Sequence, residues 1–283
     1  MIESYAGLAA GLYIVATPIG NLGDLSPRAA AVLAQARLIA AEDSRVTAKL
    51  LRHIGVRVPM LAYHDHSDDS VRRAIVARAL AEPVALTSDA GTPLISDPGF
   101  KLVRDARAAG VNIVTIPGPC AAIAALTLSG LPTDRFLFAG FLPAKAGART
   151  TAIAELATVR ATLVLYESGP RLAASLSALA AGLGDREAAI GRELTKRFEE
   201  SVAGRLSELA ARYADAAPRG EIVITIAPPG DAPAPDAETL DAALRAALAD
   251  ASLKTAVASV SAALKLPRAA VYARALELKA HGK

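Results

Sequence analysis

Four stretches carry residues whose types and spacing could do chemistry. In Ser88-Asp89-Ala90-Gly91-Thr92-Pro93-Leu94-Ile95-Ser96-Asp97-Pro98-Gly99, two carboxylates and several hydroxyls stand among small residues and prolines. Asp89 falls where an apolar run ends. A carboxylate there can accept from ribose hydroxyls or face a cation such as a sulfonium. Asp97, before Pro98-Gly99, reads equally well as a cap for the helix that follows. In Ala16-Thr17-Pro18-Ile19-Gly20-Asn21-Leu22-Gly23-Asp24, Pro18 and Gly20 set a tight backbone that can lie close to a ligand. Pro117-Gly118-Pro119-Cys120-Ala121-Ala122 places small residues at a helix start, where free N–H groups favour a carboxylate or an adenine acceptor edge. Tyr166-Glu167-Ser168-Gly169-Pro170-Arg171 is again a strand running into a Pro-started helix.

Other chemistries find no support. No Gly-x-Gly-x-x-Gly follows a strand, and neither a phosphate-binding Walker loop nor a Gly-x-Ser-x-Gly elbow is present. Cys120 is the sole cysteine and sits in an apolar helix start, so it reads as packing and not as a nucleophile. His64-x-His66 with Asp65, Asp68 and Asp69 lacks an evident further ligand. It reads as a loop facing RNA or a second protomer, with no metal expected.

The elements that must position these stretches are legible in outline. Continuous apolar runs at 12–16, 38–41, 84–87 and 112–116 predict buried strands. Helices are expected after Ser26-Pro27, over 43–54 and 100–109, and from Ala121 to Leu128 before Gly130. Strands alternating with helices, with Gly and Pro at strand exits, predict an open and mostly parallel α/β sheet over 1–130. A second α/β unit over 131–230 has strands at 135–139, 162–166, 188–192 and 221–226 with helices between them, including one over 170–181; its sheet is expected to be mixed. Residues 231–283 open on the end of a stiff Pro-rich linker and continue as two or three small alanine-rich helices broken at Pro267.

With 283 residues, 53% of them hydrophobic, the chain can fill two α/β cores, built mainly from Ala, Leu, Val and Ile because Trp is absent. A lone cysteine fits a reducing cytoplasm. The apolar run at 121–128 is far short of the roughly 20 residues of a membrane helix, so no membrane association is expected. The net charge of +3 is matched by the segment from Glu238 onward, where seven basic residues face four acidic ones, leaving the rest of the chain neutral. A basic tail on a neutral body suits a polyanion partner, or simply a solvated helix surface.

ATPIGNLGDLSPRA, AAEDSR, SDAGTPLISDPG, PGPCAAIAAL, GLPTDRFLFAGFLP, YESGPR, RELTKRFEE and RGEIVI stand in this order over about the first 230 residues. Together they closely resemble the ribosomal RNA small subunit methyltransferase I family, within the tetrapyrrole-methylase-like superfamily. Gly169 stands where many members carry Pro and Pro170 where many carry His, while Glu167 and Arg171 are kept. The resemblance implies a two-domain class III methyltransferase fold with a small C-terminal helical segment, and S-adenosylmethionine between the domains. It implies 2′-O-methylation of a cytidine in the decoding region of 16S rRNA of the small ribosomal subunit, and a homodimer. On the matched motifs, the residues expected to hold the cofactor are Pro18, Gly20, Asp89, Ala90, Gly91 and Thr92, then Pro117, Gly118, Ala121 and Ala122, and finally Tyr166, Glu167 and Gly220.

Methyl transfer to a hydroxyl needs the oxygen in line with the methyl carbon, and gains from a base that takes the proton. Glu193 and Lys196, in Arg192-Glu193-Leu194-Thr195-Lys196-Arg197, are the candidates for that role. Arg192, Lys196 and Arg197 could instead clamp rRNA phosphates. A tetrapyrrole C-methylase is the alternative within the superfamily, against which the basic C-terminal segment and RELTKRFEE weigh. A non-catalytic rRNA-binding assembly factor is the alternative outside it, and such a binder has no need of SDAGTP and PGPCAA together.

Overall fold

Strands covered on both faces need apolar side chains throughout, and the first part of the chain supplies them. The computed structural model describes residues 7–64, 66–230, 236–264 and 266–281. In it β1 (Gly11–Val15), β2 (Leu38–Ala41), β3 (Met60–Ala62), β4 (Pro83–Thr87) and β5 (Ile113–Ile116) form a sheet in the order β3-β2-β4-β1-β5, parallel at every pairing. On one face Tyr13, Val15, Ile39 and Ala41 pack with Val32 and Leu33 of α1 (Pro27–Gln35) and Leu50 and Leu51 of α2 (Ser44–His53). On the other, Leu12, Ala40 and Leu86 pack with Ile75 of α3 (Asp69–Ala81) and Leu102 of α4 (Phe100–Ala108). The helix starts obey their sequence signals. Ser26 Oγ accepts the Ala29 N–H at 3.1 Å ahead of Pro27, and Asp43 Oδ1 accepts the Arg45 N–H at 2.8 Å.

The second sheet is mixed, as expected. Its strands β6 (Phe136–Phe141), β7 (Thr162–Ser168), β8 (Glu187–Arg192), β9 (Glu200–Arg205) and β10 (Glu221–Ile226) lie in the order β6-β7-β10-β8-β9. Only β6 and β7 run parallel. One face packs on α6 (Ala146–Ala157), α7 (Leu172–Leu183) and α8 (Leu206–Arg212) through Ile153, Leu176, Leu179 and Leu209. The other receives α5 (Ala121–Leu128), whose Ala122, Ala125 and Leu126 cluster with Val164, Val223, Leu194 and Ile19. A helix that follows the last strand of one sheet therefore covers the other. This brings the strand-end loops of the first sheet up to β7 and β10.

No element is expected from the sequence at β3, α3 or β9, while α6 and α8 fall among the helices expected between the second unit's strands. β3 has three residues, and β9 alternates half-buried with exposed side chains along an edge. Such short or half-wet elements leave a weak pattern.

The chain divides after Pro228 into two compact units. The second holds α9 (Ala237–Asp250), α10 (Leu253–Leu264) and α11 (Arg268–His281) around Leu244, Val257, Val260 and Val271. Three helices match the expected two or three. Arg274 grips Asp241 through paired hydrogen bonds of 2.7 Å, joining α11 to α9. Residues 231–235 of the expected linker, and Asp65 of the His64–His66 stretch, lie outside the described residues. No helix among the described residues is long and apolar enough to cross a membrane.

Candidate active site

At the carboxyl ends of the first sheet's strands, four loops are tied to one another. Thr17 and Gly91 exchange backbone hydrogen bonds of 2.8 and 3.0 Å, joining the loops after β1 and β4. Thr92 Oγ1 donates to the Pro119 carbonyl at 2.9 Å, joining the loop after β4 to that after β5. The loop after β2 is drawn in by two contacts: the Asp89 N–H donates to Glu42 at 3.2 Å, and Asp89 Oδ1 accepts the Asp43 N–H at 2.9 Å.

These loops and the second sheet enclose a cleft of about 380 Å³, a size suited to a small organic ligand. Asp89, Ala90, Gly91 and Thr92 form one wall and Ala121 another. Tyr166, Glu167 and Gly220 face them from β7 and the turn before β10. Ile19, Ile95, Phe141, Ile222 and Val223 add apolar surface. The start of α5 is open, because its N-cap Cys120 makes no side-chain cap. The Ala122 N–H instead donates to Tyr166 Oη at 3.2 Å. Tyr166 stacks edge-on to Phe138 and Phe141, with centroids 4.9 and 5.6 Å apart. Burial first, and the neighbouring Cys120 second, push its phenol above the ordinary range, so it is protonated at any working pH.

The remaining expected cofactor residues stand behind or beside the cleft. Pro117 and Gly118 are exposed and do not line it. Gly118 backs onto β1, since a Cβ there would sit 2.9 Å from the Ala16 Cβ. Pro18 is half-buried beside the lining residue Ile19. Gly20 packs under the Lys196 stem. Ala122 is buried against the second sheet.

Glu167 lines the cleft yet is almost wholly buried. It accepts from Ser175 Oγ at 2.6 Å and from the Ser168 N–H at 2.8 Å, and pairs with Arg171 at 3.3 Å. These bonds fix the junction of β7 with α7. At the same junction Gly169 meets the Pro218 carbonyl so closely that a Cβ would collide with it. That contact gives this chain a physical reason for glycine at this position.

Glu193 and Lys196 are brought together, but neither lines the cleft. Lys196 Nζ donates to Glu193 Oε1 and Glu221 Oε2, both at 2.9 Å. Burial works against the Lys196 charge, but the two carboxylates outweigh it and raise its pKa. The Lys196 contact holds the Glu193 carboxyl below its ordinary range. Glu193 and Thr195 both have left-handed backbones, with φ of 50° and 66°, the kind of strain that persists where surroundings over-determine a loop. Gly220 completes the knot: its φ is 97°, and a Cβ there would strike the Glu193 side chain.

Comparison with known proteins follows the same lines. Residues 11–210 match the family model described as Tetrapyrrole (Corrin/Porphyrin) Methylases, and residues 233–279 match one described as RsmI C-terminal HTH domain. The ribosomal RNA small subunit methyltransferase I of Erythrobacter litoralis is 53% identical, over 96% of this chain and 96% of its own length. That of Mesorhizobium japonicum is 48% identical, over 96% and 93%. The chain belongs to the ribosomal RNA small subunit methyltransferase I family. Solved structures extend the likeness in fold: diphthine synthase, with a TM-score of 0.60 at 18% identity, covers 76% of this chain and 89% of its own. A uroporphyrin-III C-methyltransferase from Thermus thermophilus has a TM-score of 0.55 at 19% identity, over 77% and 94%.

Several cleft residues of this family member escape the sequence reading. Glu42 lies in the quoted AAEDSR stretch but carries no role until β2 is seen beside β4. Ile222 and Val223 look like ordinary strand residues, and Phe141 extends β6 beyond the expected strand. Asp97, read equally as a helix cap, lines the cleft, while the N-cap of α4 is Gly99, with no side-chain bond. No group of three or more His, Cys, Asp or Glu among the described residues is arranged to hold a metal.

Proposed function

We propose that this protein transfers a methyl group from S-adenosylmethionine to the ribose 2′-hydroxyl of a cytidine in 16S rRNA of the small ribosomal subunit. The cleft between the two sheets carries the reading, taken with family membership. Its chemistry fits the cofactor: an apolar surface for the adenine, an open helix start for an acceptor edge, and the carboxylates of Asp89 and Glu42 for hydroxyls or a cationic group. When bound, the cofactor supplies an activated methyl group; the protein supplies position and field. Asp89, Ala90, Gly91, Thr92, Ala121, Tyr166, Glu167 and Gly220 touch it in this reading, while Pro18, Gly20, Pro117, Gly118 and Ala122 shape the backbone that carries them. Glu193 and Lys196 position the turn before β10 and present Glu221.

Exposed aromatics suit a nucleic-acid substrate. Phe141 lines the cleft and is 55% exposed, and Phe198 is 67% exposed under the Arg197 guanidinium. Both can stack on unpaired bases. A homodimer in the cytoplasm belongs to the same proposal. Phe136 and Leu137 on edge strand β6 are exposed, and an unpaired apolar edge is a surface that a second copy would cover.

Incubation with methyl-labelled cofactor and either 30S subunits or a porphyrinoid tests the proposal. Label is expected in the rRNA and none in the macrocycle. Label in the macrocycle alone would overturn it, and cofactor binding with no transfer to either would point to an assembly factor.

A further inference from the structure

We infer that Asp97 accepts the proton of the substrate hydroxyl during methyl transfer. The inference rests on the methyl-transfer reading above and adds the residue that reading leaves unassigned.

A base that takes the proton would stand in the cleft, where every other acidic or phenolic group already has a hydrogen-bonding or cofactor-facing part. Glu167 is saturated by Ser175, Ser168 and Arg171. Glu221 is held by Lys196. Asp89 accepts the Asp43 N–H, and Glu42 accepts the Asp89 N–H, so both hold loops and, in the reading above, face the cofactor. Tyr166 keeps its proton. Asp97 meets the Ser88 hydroxyl but caps no helix, because α4 begins at Gly99 without a side-chain cap. Its loop is sharply bent just before it: Leu94 and Ser96 have φ of 74° and 63°, a left-handed conformation that is unfavourable at a non-glycine residue.

The surroundings give Asp97 the properties of a base. It faces Glu42 after β2, Ser88 and Asp89 after β4, Tyr166 on β7 and Glu221 on β10. Among the described residues no Lys or Arg pairs with it. Burial raises its pKa to about 6; the Ser88 hydroxyl opposes this, and the carboxylates of Glu42, Asp89 and Glu221 add to the rise. A carboxylate tuned toward the working pH is an efficient proton acceptor. In the step, the hydroxyl proton passes to an Asp97 carboxylate oxygen while the hydroxyl oxygen bonds to the methyl carbon. The bond from that carbon to sulfur breaks, and its electron pair remains on sulfur.

Asp97→Asn in the full-length protein tests this on 30S subunits with methyl-labelled cofactor. The rate of transfer is expected to fall about 10²–10⁴-fold, with cofactor Kd by calorimetry within about threefold of the parent's. The parent's rate should rise with pH through about 6, and that limb should vanish in the variant. A free-protein readout accompanies it. Folding favours the protonated carboxyl, so the ionised form costs stability as pH rises through the interval between 3.8 and about 6. Asp97→Asn should therefore raise Tm at pH 8 and leave it unchanged at pH 4. An unchanged rate and pH profile, an equal loss of cofactor affinity, or a lowered Tm at pH 8 would overturn the inference. A parent protein that does not methylate rRNA would instead overturn the functional reading.

Discussion

Ala121 and Ala122 are neighbours of one type with opposite surroundings. Ala121 lines the cleft, and Ala122 is buried against Val164 and Val223. The same substitution should therefore act in two ways. Ala121→Phe is expected to abolish cofactor binding by calorimetry with Tm almost unchanged. Ala122→Phe is expected to cost about 1–3 kcal/mol through overpacking, visible as a lower denaturation midpoint. Glu167→Ala should also destabilise, by roughly 3 kcal/mol, because it strands the Ser175 hydroxyl and removes the carboxylate that pairs with Arg171; chemical denaturation measures it. Asp89, Gly91 and Thr92 are legible in the sequence because their loop follows the end of β4, and Tyr166 because it stands near the end of β7. Asp97 was half legible. Its residue type and its place before Pro98-Gly99 suit a cap, and only the geometry of Gly99 removes that role.

At the scale of elements, the decisive event is the seating of α5 on the second sheet. It sets the strand-end loops of one sheet against Ile222 and Val223 of the other. The run ending before Gly130 reads as a helix but does not tell which sheet it covers, since almost every position in AAIAALTL is apolar. Glu42 and Val223 were illegible for the same reason: their role arises from pairing across the fold. The β7–α7 junction offers a test of packing. Gly169→Pro puts a side chain where the Pro218 carbonyl leaves no room for one. The substitution is expected to lower Tm by several degrees, corresponding to about 1–3 kcal/mol. A Tm at or above the parent's would show that the Pro218 turn yields without cost.

Across the whole molecule, the unit after Pro228 carries no residue of the cleft. Its α11 exposes Arg268, Tyr272, Leu276 and Lys279 at helical spacing, and Lys254 borders the same shallow hollow as Arg268 and Tyr272. Cations beside an exposed aromatic suit phosphates and an unpaired base. Deletion after Pro228 is expected to keep cofactor affinity and to weaken binding to 30S subunits, most at low salt and less as salt rises. Equal affinities with equal salt slopes would exclude an RNA role, and a truncated chain that turns monomeric by light scattering would assign the unit to dimer stability. The central claim, methylation of a ribose in 16S rRNA, is tested most directly by mass mapping of small-subunit rRNA from cells with and without the protein. One methyl group, on the ribose of a cytidine in the decoding region, is expected to disappear with the protein and to return when it is restored. An identical methylation map in both, or a lost methyl that sits on a base, would contradict it.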